Sequence, residues 1–330
     1  MTEAASKPLL SIRDLHMHFP VKGGIFLTAK DTCRAVDGVS FDIMPGETMG
    51  LVGESGCGKS TLGKCIVRLL KPTSGEIHYD GTDMGALSRG QLKPMRREIQ
   101  MIFQDPADSL NSRHTVRDIL EEPFQIQRIG DSASRQIKVD ELLGVVGLPL
   151  GAADRFPFEF SGGQRQRIGI ARAIALNPSL IICDEPVSAL DVSIQSQILN
   201  LMLDLQDQFK LSYLFIAHDL AVVKHISDRI AVMYLGRLVE IADADKVYQD
   251  PRHPYTRALI SAIPVPNPNL RRERIVLSGD VPSPINPPAG CPFHTRCPHV
   301  QDICRSDVPK LRNVAGDAKT SHSVSCHFDL

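Results

Sequence analysis

The sequence has no excess of either charge, no long apolar run, no internal repeat and no low-complexity tract. Its 37 Lys and Arg residues are balanced by 38 Asp and Glu residues, so the formal net charge is only −1. A near-neutral chain without clusters of like charge lacks the basic stripe that nucleic-acid-binding proteins carry. We therefore expect no nucleic acid among its partners.

The apolar stretches are too short for a membrane-spanning helix, which needs roughly 18 to 20 apolar residues in a row. The first seven residues are small and acidic, unlike the start of a signal sequence. We therefore predict a cytoplasmic protein that works at a membrane only peripherally, by docking to other subunits. Its 330 residues leave room for one large domain and a small appendage.

A phosphate-binding pattern, G-x-x-x-x-G-K-[ST], is formed by Gly53, Glu54, Ser55, Gly56, Cys57, Gly58, Lys59 and Ser60. In this pattern backbone N–H groups surround the β-phosphate, and the lysine reaches the β- and γ-phosphate oxygens. Residues 47–52 are typical of a buried strand, and residues 61–70 of a helix that stops before Pro72. The N-terminus of this helix then faces the phosphates. We predict that Ser60 ligates Mg²⁺ and that Thr61 also binds the nucleotide.

A second apolar run, residues 180–183, ends at Asp184 and Glu185. It is typical of a buried parallel strand that delivers two carboxylates to the C-terminal edge of a sheet. Phosphoryl transfer depends mainly on positioning and on neutralisation of charge. We predict that Asp184 holds Mg²⁺ through its water shell and that Glu185 orients or deprotonates the attacking water. Together with the phosphate loop, this strand predicts an enzyme that hydrolyses ATP.

A third motif lies at residues 160–167 and contains Ser161, Gly162, Gly163 and Gln164. A serine and two glycines before a helix make a second anion-binding helix start. This stretch resembles the signature motif of the ATP-binding cassette (ABC) family, which ordinary phosphate-loop ATPases lack. The resemblance implies that these four residues cap the γ-phosphate of an ATP bound to the opposite subunit. Two cassettes would then enclose two ATP molecules head to tail.

Three further residues match the ABC family. Gln104 corresponds to the glutamine that contacts Mg²⁺ and the lytic water, and Asp191 lies in the loop that links the two sites across the dimer. His218 corresponds to the switch histidine, which implies a hydrogen bond to the γ-phosphate. A lone histidine after a strand is more often structural than catalytic, but its order and spacing after Glu185 favour the catalytic interpretation.

The aromatic residue that stacks on adenine is the least defined part of the site. Residues 18–34 look like an insertion in the first hairpin of the cassette. Phe26 is our prediction for the stacking residue, and Phe19 is the alternative. Either ring would serve equally well as packing for an antiparallel sheet.

The hydrophobic periodicity predicts an α/β fold, and the resemblance implies a P-loop NTPase of the ABC type with a parallel-sheet core. Residues 9–19 and 39–43 have the alternation of an antiparallel sheet that precedes the phosphate loop. Residues 115–122 and 134–146 have helical periodicity, which is typical of a helical subdomain. We place this subdomain, which presents the signature motif, at about residues 106–165.

The cassette is predicted to span residues 1–262, followed by a small C-terminal domain at 263–330. This domain begins with a proline-rich stretch typical of an extended linker. Four cysteines follow within 36 residues, with the spacing C-x5-C-x6-C-x21-C: Cys291, Cys297, Cys304 and Cys326. Disulfides are disfavoured in the reducing cytoplasm, so the thiols are either ligands of a metal centre or small packing residues. The spacing matches neither zinc ribbons nor the compact run of bacterial ferredoxins.

Residues 281–298, with residues 322–327 behind them, resemble the C-terminal extension of ATPase subunits from oligopeptide and dipeptide importers. Some members of that family bind a [4Fe–4S] cluster there through four cysteines. The resemblance therefore implies such a cluster here, with zinc as the second choice. Its simplest role is a structural staple for a tail that cannot build its own core.

The resemblance covers nearly the whole chain and implies ATP-driven import of di- or oligopeptides. It implies that this chain lies at the cytoplasmic face of the membrane and has three kinds of partner: a homologous second ATPase subunit, two permease subunits and, through the complex, an extracytoplasmic peptide-binding protein. The insertion at 22–30 and the tail point to the second of the two ATPases in such importers. The alternatives are import of another solute such as nickel, an exporter ATPase, and a soluble clamp ATPase of translation or DNA repair. The tail disfavours an exporter, and the single cassette without a coiled-coil or zinc insertion disfavours the soluble clamp.

Overall fold

A computed structural model describes residues 7–23, 28–105, 109–263, 274–314 and 322–329. In these residues the strands are β1 (Leu10–Gly23), β2 (Thr28–Ile43), β3 (Thr48–Val52), β4 (Ser74–Tyr79), β5 (Thr82–Asp83), β6 (Ile99–Ile102), β7 (Leu180–Asp184), β8 (Ser212–Ala217), β9 (Arg229–Tyr234), β10 (Arg237–Asp243), β11 (Arg312–Asn313) and β12 (Ser323–Val324). The helices are α1 (Lys59–Ile66), α2 (Arg89–Glu98), α3 (Val116–Gln127), α4 (Ser132–Val145), α5 (Gly162–Ile174), α6 (Val192–Phe209), α7 (Leu220–Ile226), α8 (Ala244–Gln249), α9 (Pro254–Ser261) and α10 (Asp302–Ser306).

The chain forms two compact units. The first comprises Met1–Ile43, Thr48–Gly85 and Ala217–Leu330, and the second comprises Met44–Glu47 and Ala86–Ile216. The first unit therefore contains the phosphate loop and the cysteine-rich tail, and the second contains the helical segment with the signature motif. The predicted domain borders stay predictions. They are about 106 and 165 for the helical subdomain, and 262 for the start of the C-terminal domain.

An antiparallel sheet of order β2-β1-β4-β5 lies in the first unit, as the alternating pattern predicted. Leu10 pairs with Ile43 at one end of the β1–β2 ladder, and apolar side chains of β1 such as Ile12 and Leu15 are fully buried. An antiparallel sheet is commonly stabilised in this way, with the apolar face of its strands packed on the core and the other face in solvent.

The opposite face of β1 carries a hydrogen-bonded cluster that the sequence did not reveal. Oδ1 of Asp37 lies 3.1 Å from Nδ1 of His16 and 3.1 Å from Nε2 of His18, while Oδ2 accepts from Arg237 at 2.5 Å. Burial acts to raise the pKa of Asp37, but the charge of Arg237 and the hydrogen bonds together lower it. The cluster ties the antiparallel sheet to β10, the strand that carries Arg237.

The remaining strands of the first unit have the order β11-β12-β10-β9-β3. β3 and β9 are parallel, whereas β10 is antiparallel to β9 and to β12. Every residue of β3 is buried, as expected for a strand covered on both faces. The tail thus contributes two short strands, β11 and β12, to the sheet that leads into the phosphate loop.

The second unit contains the parallel strands β6, β7 and β8, with Ile99 opposite Leu180 and Leu180 opposite Ser212. All residues of β7 and β8 are buried. Helices α3 and α4 confirm the helical periodicity, and α3 begins at a capping box in which Thr115 accepts from the N–H of Asp118. In the described part of the chain, no helix is both long enough and apolar enough to span a membrane.

One predicted helix has different bounds. Helix α1 begins at Lys59 and ends at Ile66, whereas the sequence predicted residues 61–70. The early end follows from Arg68, which has a left-handed φ of 57° and donates its N–H to the carbonyl of Cys65. This backbone reversal closes the helix six residues before Pro72, and no local residue pattern announces it.

Candidate functional site

The phosphate loop joins the buried strand β3 to helix α1, in the context that its sequence pattern requires. Lys59 is buried, and its Nζ donates to the carbonyl oxygens of Gly53 at 2.7 Å and of Glu54 at 3.2 Å. Ser55 and Gly56 are exposed. The loop therefore presents backbone N–H groups at a helix start while its lysine is held within the loop.

Two glycines of the loop have left-handed backbone that favours glycine. Gly58, with φ 108°, also packs so closely that a Cβ atom would lie 1.9 Å from the carbonyl oxygen of Ala35. Gly56, with φ 78°, has no atom within 4 Å of the corresponding position. Conformation alone requires glycine at Gly56, whereas conformation and packing both require it at Gly58.

The loop is anchored from outside by three groups. The N–H of Gly236 donates to the carbonyl of Cys57 at 2.9 Å, and the N–H of Glu54 donates to the hydroxyl of Tyr255 at 2.8 Å. The carboxylate of Glu54 accepts two hydrogen bonds from Arg296, at 2.8 and 3.1 Å. Sequence reasoning assigned no role to Tyr255 or to Arg296, because both lie far along the chain from the loop, although Arg296 belongs to the recognised stretch 281–298.

The carboxylates at the end of β7 lie in the second unit. Asp184 is buried, and Glu185 follows it with an unusual positive φ of 48°. The N–H of Glu185 donates to the carbonyl of Ile216 at 2.9 Å, and Nε2 of Gln104 donates to Oε2 of Glu185 at 3.1 Å. The structure thus brings together Gln104 and Glu185, the two residues predicted to handle the lytic water.

The signature motif begins helix α5. Ser161 is its N-cap, and its Oγ accepts from the N–H of Gln164 while Oε1 of Gln164 accepts from the N–H of Ser161. Ser161 and Gly162 are exposed, and Gly163 and Gln164 are half-buried. A small cleft of about 70 Å³ is lined by both Gln104 and Gly162, so two predicted site segments share one depression of the second unit.

The other predicted residues are also located. Asp191 is exposed at the N-cap of α6, and His218 is exposed directly after β8. Ser60 and Thr61 lie in the first turn of α1. Phe26 lies outside the described residues, and Phe19 is half-buried on β1 opposite Cys33.

Other cysteines of the tail influence the pKa of Cys291, Cys297 and Cys326, although the four are spread over a stretch of 36 residues. Burial and the charges that Cys304, Cys297 and Cys326 would carry as thiolates raise the pKa of Cys291. Burial raises the pKa of Cys297 and of Cys326 too, with a further contribution from Cys326 and Cys304 at Cys297 and from Cys304 at Cys326. Cys291 also donates its N–H to the carbonyl of Cys304 at 2.8 Å. Burial raises the pKa of Cys291 to about 11, so its thiol keeps its proton at neutral pH in the absence of a cation.

Aromatic packing and one buried carboxylate fix the tail to the first unit. Phe293 is buried, and its ring centroid lies 5.3 Å from that of Tyr234 and 5.5 Å from that of Tyr255. The fully buried carboxylate of Glu240 accepts from the N–H of His253 at 2.9 Å and from Nε2 of His322 at 2.7 Å. The tail is therefore built into the core of the unit that carries the phosphate loop.

Residues 36–188 match the family described as ABC transporter, and residues 239–304 match the family described as oligopeptide/dipeptide transporter, C-terminal region. The chain is 54% identical to the oligopeptide transport ATP-binding protein AppF of Bacillus subtilis, over 99% of both chains. The chain belongs to the ABC transporter family. The predicted P-loop NTPase cassette is thereby confirmed as the fold class.

Solved ABC cassettes have the same fold. The cbiO1 protein of Clostridium perfringens, part of the ABC transporter complex cbiONQ, matches with a TM-score of 0.64 and 26% identity, over 74% of this chain and 92% of that one. A dimeric ATP-binding cassette in a post-hydrolysis state with ADP and Pi matches with a TM-score of 0.64 and 28% identity, over 71% of this chain and 98% of that one. ATP together with Mg²⁺ is the ligand that fits an ABC ATPase such as this chain.

The two glycines of the phosphate loop give a matched test of its geometry. We expect Gly56→Ala to lower the free energy of unfolding by about 1–2 kcal/mol, the usual cost of a left-handed alanine. Gly58→Ala should cost about 1–3 kcal/mol more, because its methyl group would meet the backbone of Ala35. Urea unfolding of the two variants and the wild type measures both values. Equal losses would mean that the loop does not pack against β2 at this point.

Proposed function

We propose that this cassette is the ATP-hydrolysing subunit of a membrane importer for di- and oligopeptides. The observation that carries the proposal is the 54% identity to an oligopeptide transport ATP-binding protein over 99% of the chain, tail included. The match of residues 239–304 to the oligopeptide/dipeptide transporter C-terminal region supports it. An exporter, a soluble clamp ATPase and an importer of nickel or a related solute are the alternatives, and none of them has a comparable observation in its favour.

In this proposal the phosphate loop binds the triphosphate of ATP. The backbone from Gly53 to Gly58 surrounds the β-phosphate, Lys59 leaves the loop carbonyls to contact the β- and γ-oxygens, and Thr61 contacts the nucleotide. Ser60, Gln104 and, through its water shell, Asp184 would hold Mg²⁺, which would neutralise charge on the phosphates. The position of Ser60 in the first turn of α1 supports phosphate binding at this point, because a helix N-terminus stabilises negative charge.

Hydrolysis is assigned to Glu185, Gln104 and His218. Glu185 orients or deprotonates the attacking water, Gln104 contacts that water, and His218 donates a hydrogen bond to the γ-phosphate. The hydrogen bond from Gln104 to Glu185 supports a shared task for the two side chains. The positive φ of Glu185 supports it too, because an unusual backbone conformation at the end of a strand is typical of functional sites.

The signature motif is assigned to the ATP of a second cassette. Its helix start is exposed and capped by Ser161, so it can receive the γ-phosphate of an ATP held by another subunit. Asp191, also exposed, would link the two sites across the dimer. We propose a homologous, non-identical ATPase subunit as the partner, two permease subunits as the membrane part, and an extracytoplasmic peptide-binding protein as the source of substrate. The cassettes would then lie at the cytoplasmic face of the membrane.

We also propose that Cys291, Cys297, Cys304 and Cys326 bind a metal centre, with a [4Fe–4S] cluster as the first choice and zinc as the second. The hydrogen bond from the N–H of Cys291 to the carbonyl of Cys304, and the effect of Cys304, Cys297 and Cys326 on the pKa of Cys291, support a shared site. The order of the two choices follows the resemblance of this segment to importer ATPases, some of which bind such a cluster through four cysteines.

The role of Glu185 is tested by Glu185→Gln, which removes the base but keeps the shape of the side chain. We expect ATP hydrolysis to fall by about 100-fold or more, the usual contribution of a general base, while ATP binding is retained. An ATP-dependent dimer should accumulate and be visible by light scattering after size exclusion. Glu141→Gln, an exposed acid on α4, is the control and should hydrolyse ATP at the wild-type rate. Undiminished hydrolysis by Glu185→Gln would remove Glu185 from its assigned role.

The metal centre is tested on protein purified without oxygen. We expect broad visible absorption with about four irons and four sulfides per chain, both lost in Cys297→Ser. Cys33→Ser, at a half-buried cysteine of β2 outside the group, should keep them. Protein that contains one zinc and no iron would mean that the site binds zinc instead of a cluster. Protein that contains neither iron nor zinc would mean that the four cysteines only pack the tail.

A further inference from the structure

The contact between Arg296 and Glu54 joins the cysteine-rich tail to the phosphate loop. Nη1 of Arg296 donates to Oε2 of Glu54 at 2.8 Å, and Nη2 donates to Oε1 at 3.1 Å. The two residues are 242 positions apart in sequence. Two parallel charge-assisted hydrogen bonds fix direction as well as distance, which one lysine contact would not do.

The pair differs from the exposed ion pairs of the surface. The side chain of Arg296 is only 7% exposed and that of Glu54 is 28% exposed, whereas Lys7 and Asp80, for example, are 62% and 75% exposed. Exposed pairs contribute little because water and salt screen them, but a shielded bidentate pair is screened much less. The Arg296 contact can therefore influence the loop in a way that an ordinary surface pair cannot.

Arg296 is held in place by its own segment. Its N–H donates to the carbonyl of Phe293 at 3.0 Å, and the ring of Phe293 is buried against Tyr234 and Tyr255. The guanidinium carbon lies 6.0 Å from the centroid of Tyr234. Tyr255 in turn accepts the N–H of Glu54, so the tail and α9 hold both the backbone and the side chain of that residue.

The charge of Glu54 makes this contact important for nucleotide binding. Glu54 is the first variable residue of the phosphate loop, so it places a carboxylate in the segment that has to attract a triphosphate. Like charges in a partly shielded site repel each other strongly. Arg296 neutralises this carboxylate and turns it toward the tail.

We propose that Arg296 is a positioning residue of the ATP site, and that the cysteine-rich tail sets ATP affinity by neutralising and orienting Glu54 of the phosphate loop. The inference rests on the proposed function, because it assumes that this loop binds ATP. It goes further by giving the tail a task in nucleotide binding that is separate from any metal it carries. A tail that served only as a structural staple would not require an ion pair with the phosphate loop.

A double-mutant cycle on the full chain tests the inference. We expect Arg296→Gln to raise the Kd for Mg-ATP about tenfold, within the 5- to 150-fold range usual for coupled sites, because Glu54 is left without its counter-charge. In a Glu54→Gln background the same substitution should change the Kd by less than about threefold, since there is no carboxylate left to neutralise. The Michaelis constant for ATP should follow the Kd, while kcat stays within about twofold. Calorimetric titration and steady-state hydrolysis measure the three quantities.

Two further variants complete the design. Arg305→Gln removes an exposed arginine of the same segment and should leave the Kd unchanged. Arg296→Lys keeps the charge and most of the packing but loses the bidentate contact, so it should give an intermediate Kd even if Arg296→Gln folds poorly. Unfolding curves identify any variant whose loss of affinity comes from loss of structure.

The outcomes separate this inference from the proposed function. A tenfold loss in the wild-type background that disappears in the Glu54→Gln background supports the positioning role. Two results overturn the inference when the wild type binds and hydrolyses ATP: an unchanged Kd after Arg296→Gln, or an equal loss of affinity in both backgrounds. Either result leaves the proposed function intact. Wild-type protein that binds no ATP overturns both.

Discussion

The phosphate loop must keep a backbone shape that neither a helix nor a strand provides, and the packing of the first unit follows from this constraint. Gly58 has a left-handed φ and touches the backbone of β2, so the loop fits only one arrangement of its neighbours. The turn before β10 holds Cys57 through Gly236, and Tyr255 holds the N–H of Glu54. The shape of the loop is thus maintained by distant parts of the chain, and the loop leads into the N-terminus of α1, where an anion is favoured.

The cysteine-rich tail is a structural part of the cassette. β12 pairs with β10, Phe293 enters the aromatic core, and the buried Glu240 joins His322 of the tail to α9 through His253. A short segment with little regular structure cannot bury enough apolar surface to be stable alone. It gains stability here from the same core that supports the phosphate loop, which places its four thiols and Arg296 at fixed positions.

Features that depend on neighbouring residues were predictable from the sequence, and those that depend on distant residues were not. The phosphate loop between a strand and a helix, and the strand before Asp184, are local patterns that formed as predicted. Helix α5 also formed, but it begins at Gly162 and includes both glycines, whereas the sequence predicted a start after them, near Gln164. The convergence of the four cysteines followed only from resemblance to a family, since their spacing fits no common metal motif. The contact of Arg296 with Glu54, and the cluster around Asp37, join residues far apart in sequence, so no window along the chain contains both partners. The early end of α1 depends on the left-handed backbone of Arg68, a residue type with no preference for it.

The central claim is that this chain uses ATP to drive peptide uptake. It is tested most directly by measuring uptake of a labelled dipeptide and a labelled oligopeptide into cells that lack the chain, with either the wild type or Lys59→Met restored at equal protein levels. The account predicts that the wild type restores uptake of at least one peptide and that Lys59→Met restores neither, because the lysine that binds the phosphates is missing. Equal uptake with both proteins, or none with a wild-type chain that hydrolyses ATP, would contradict it.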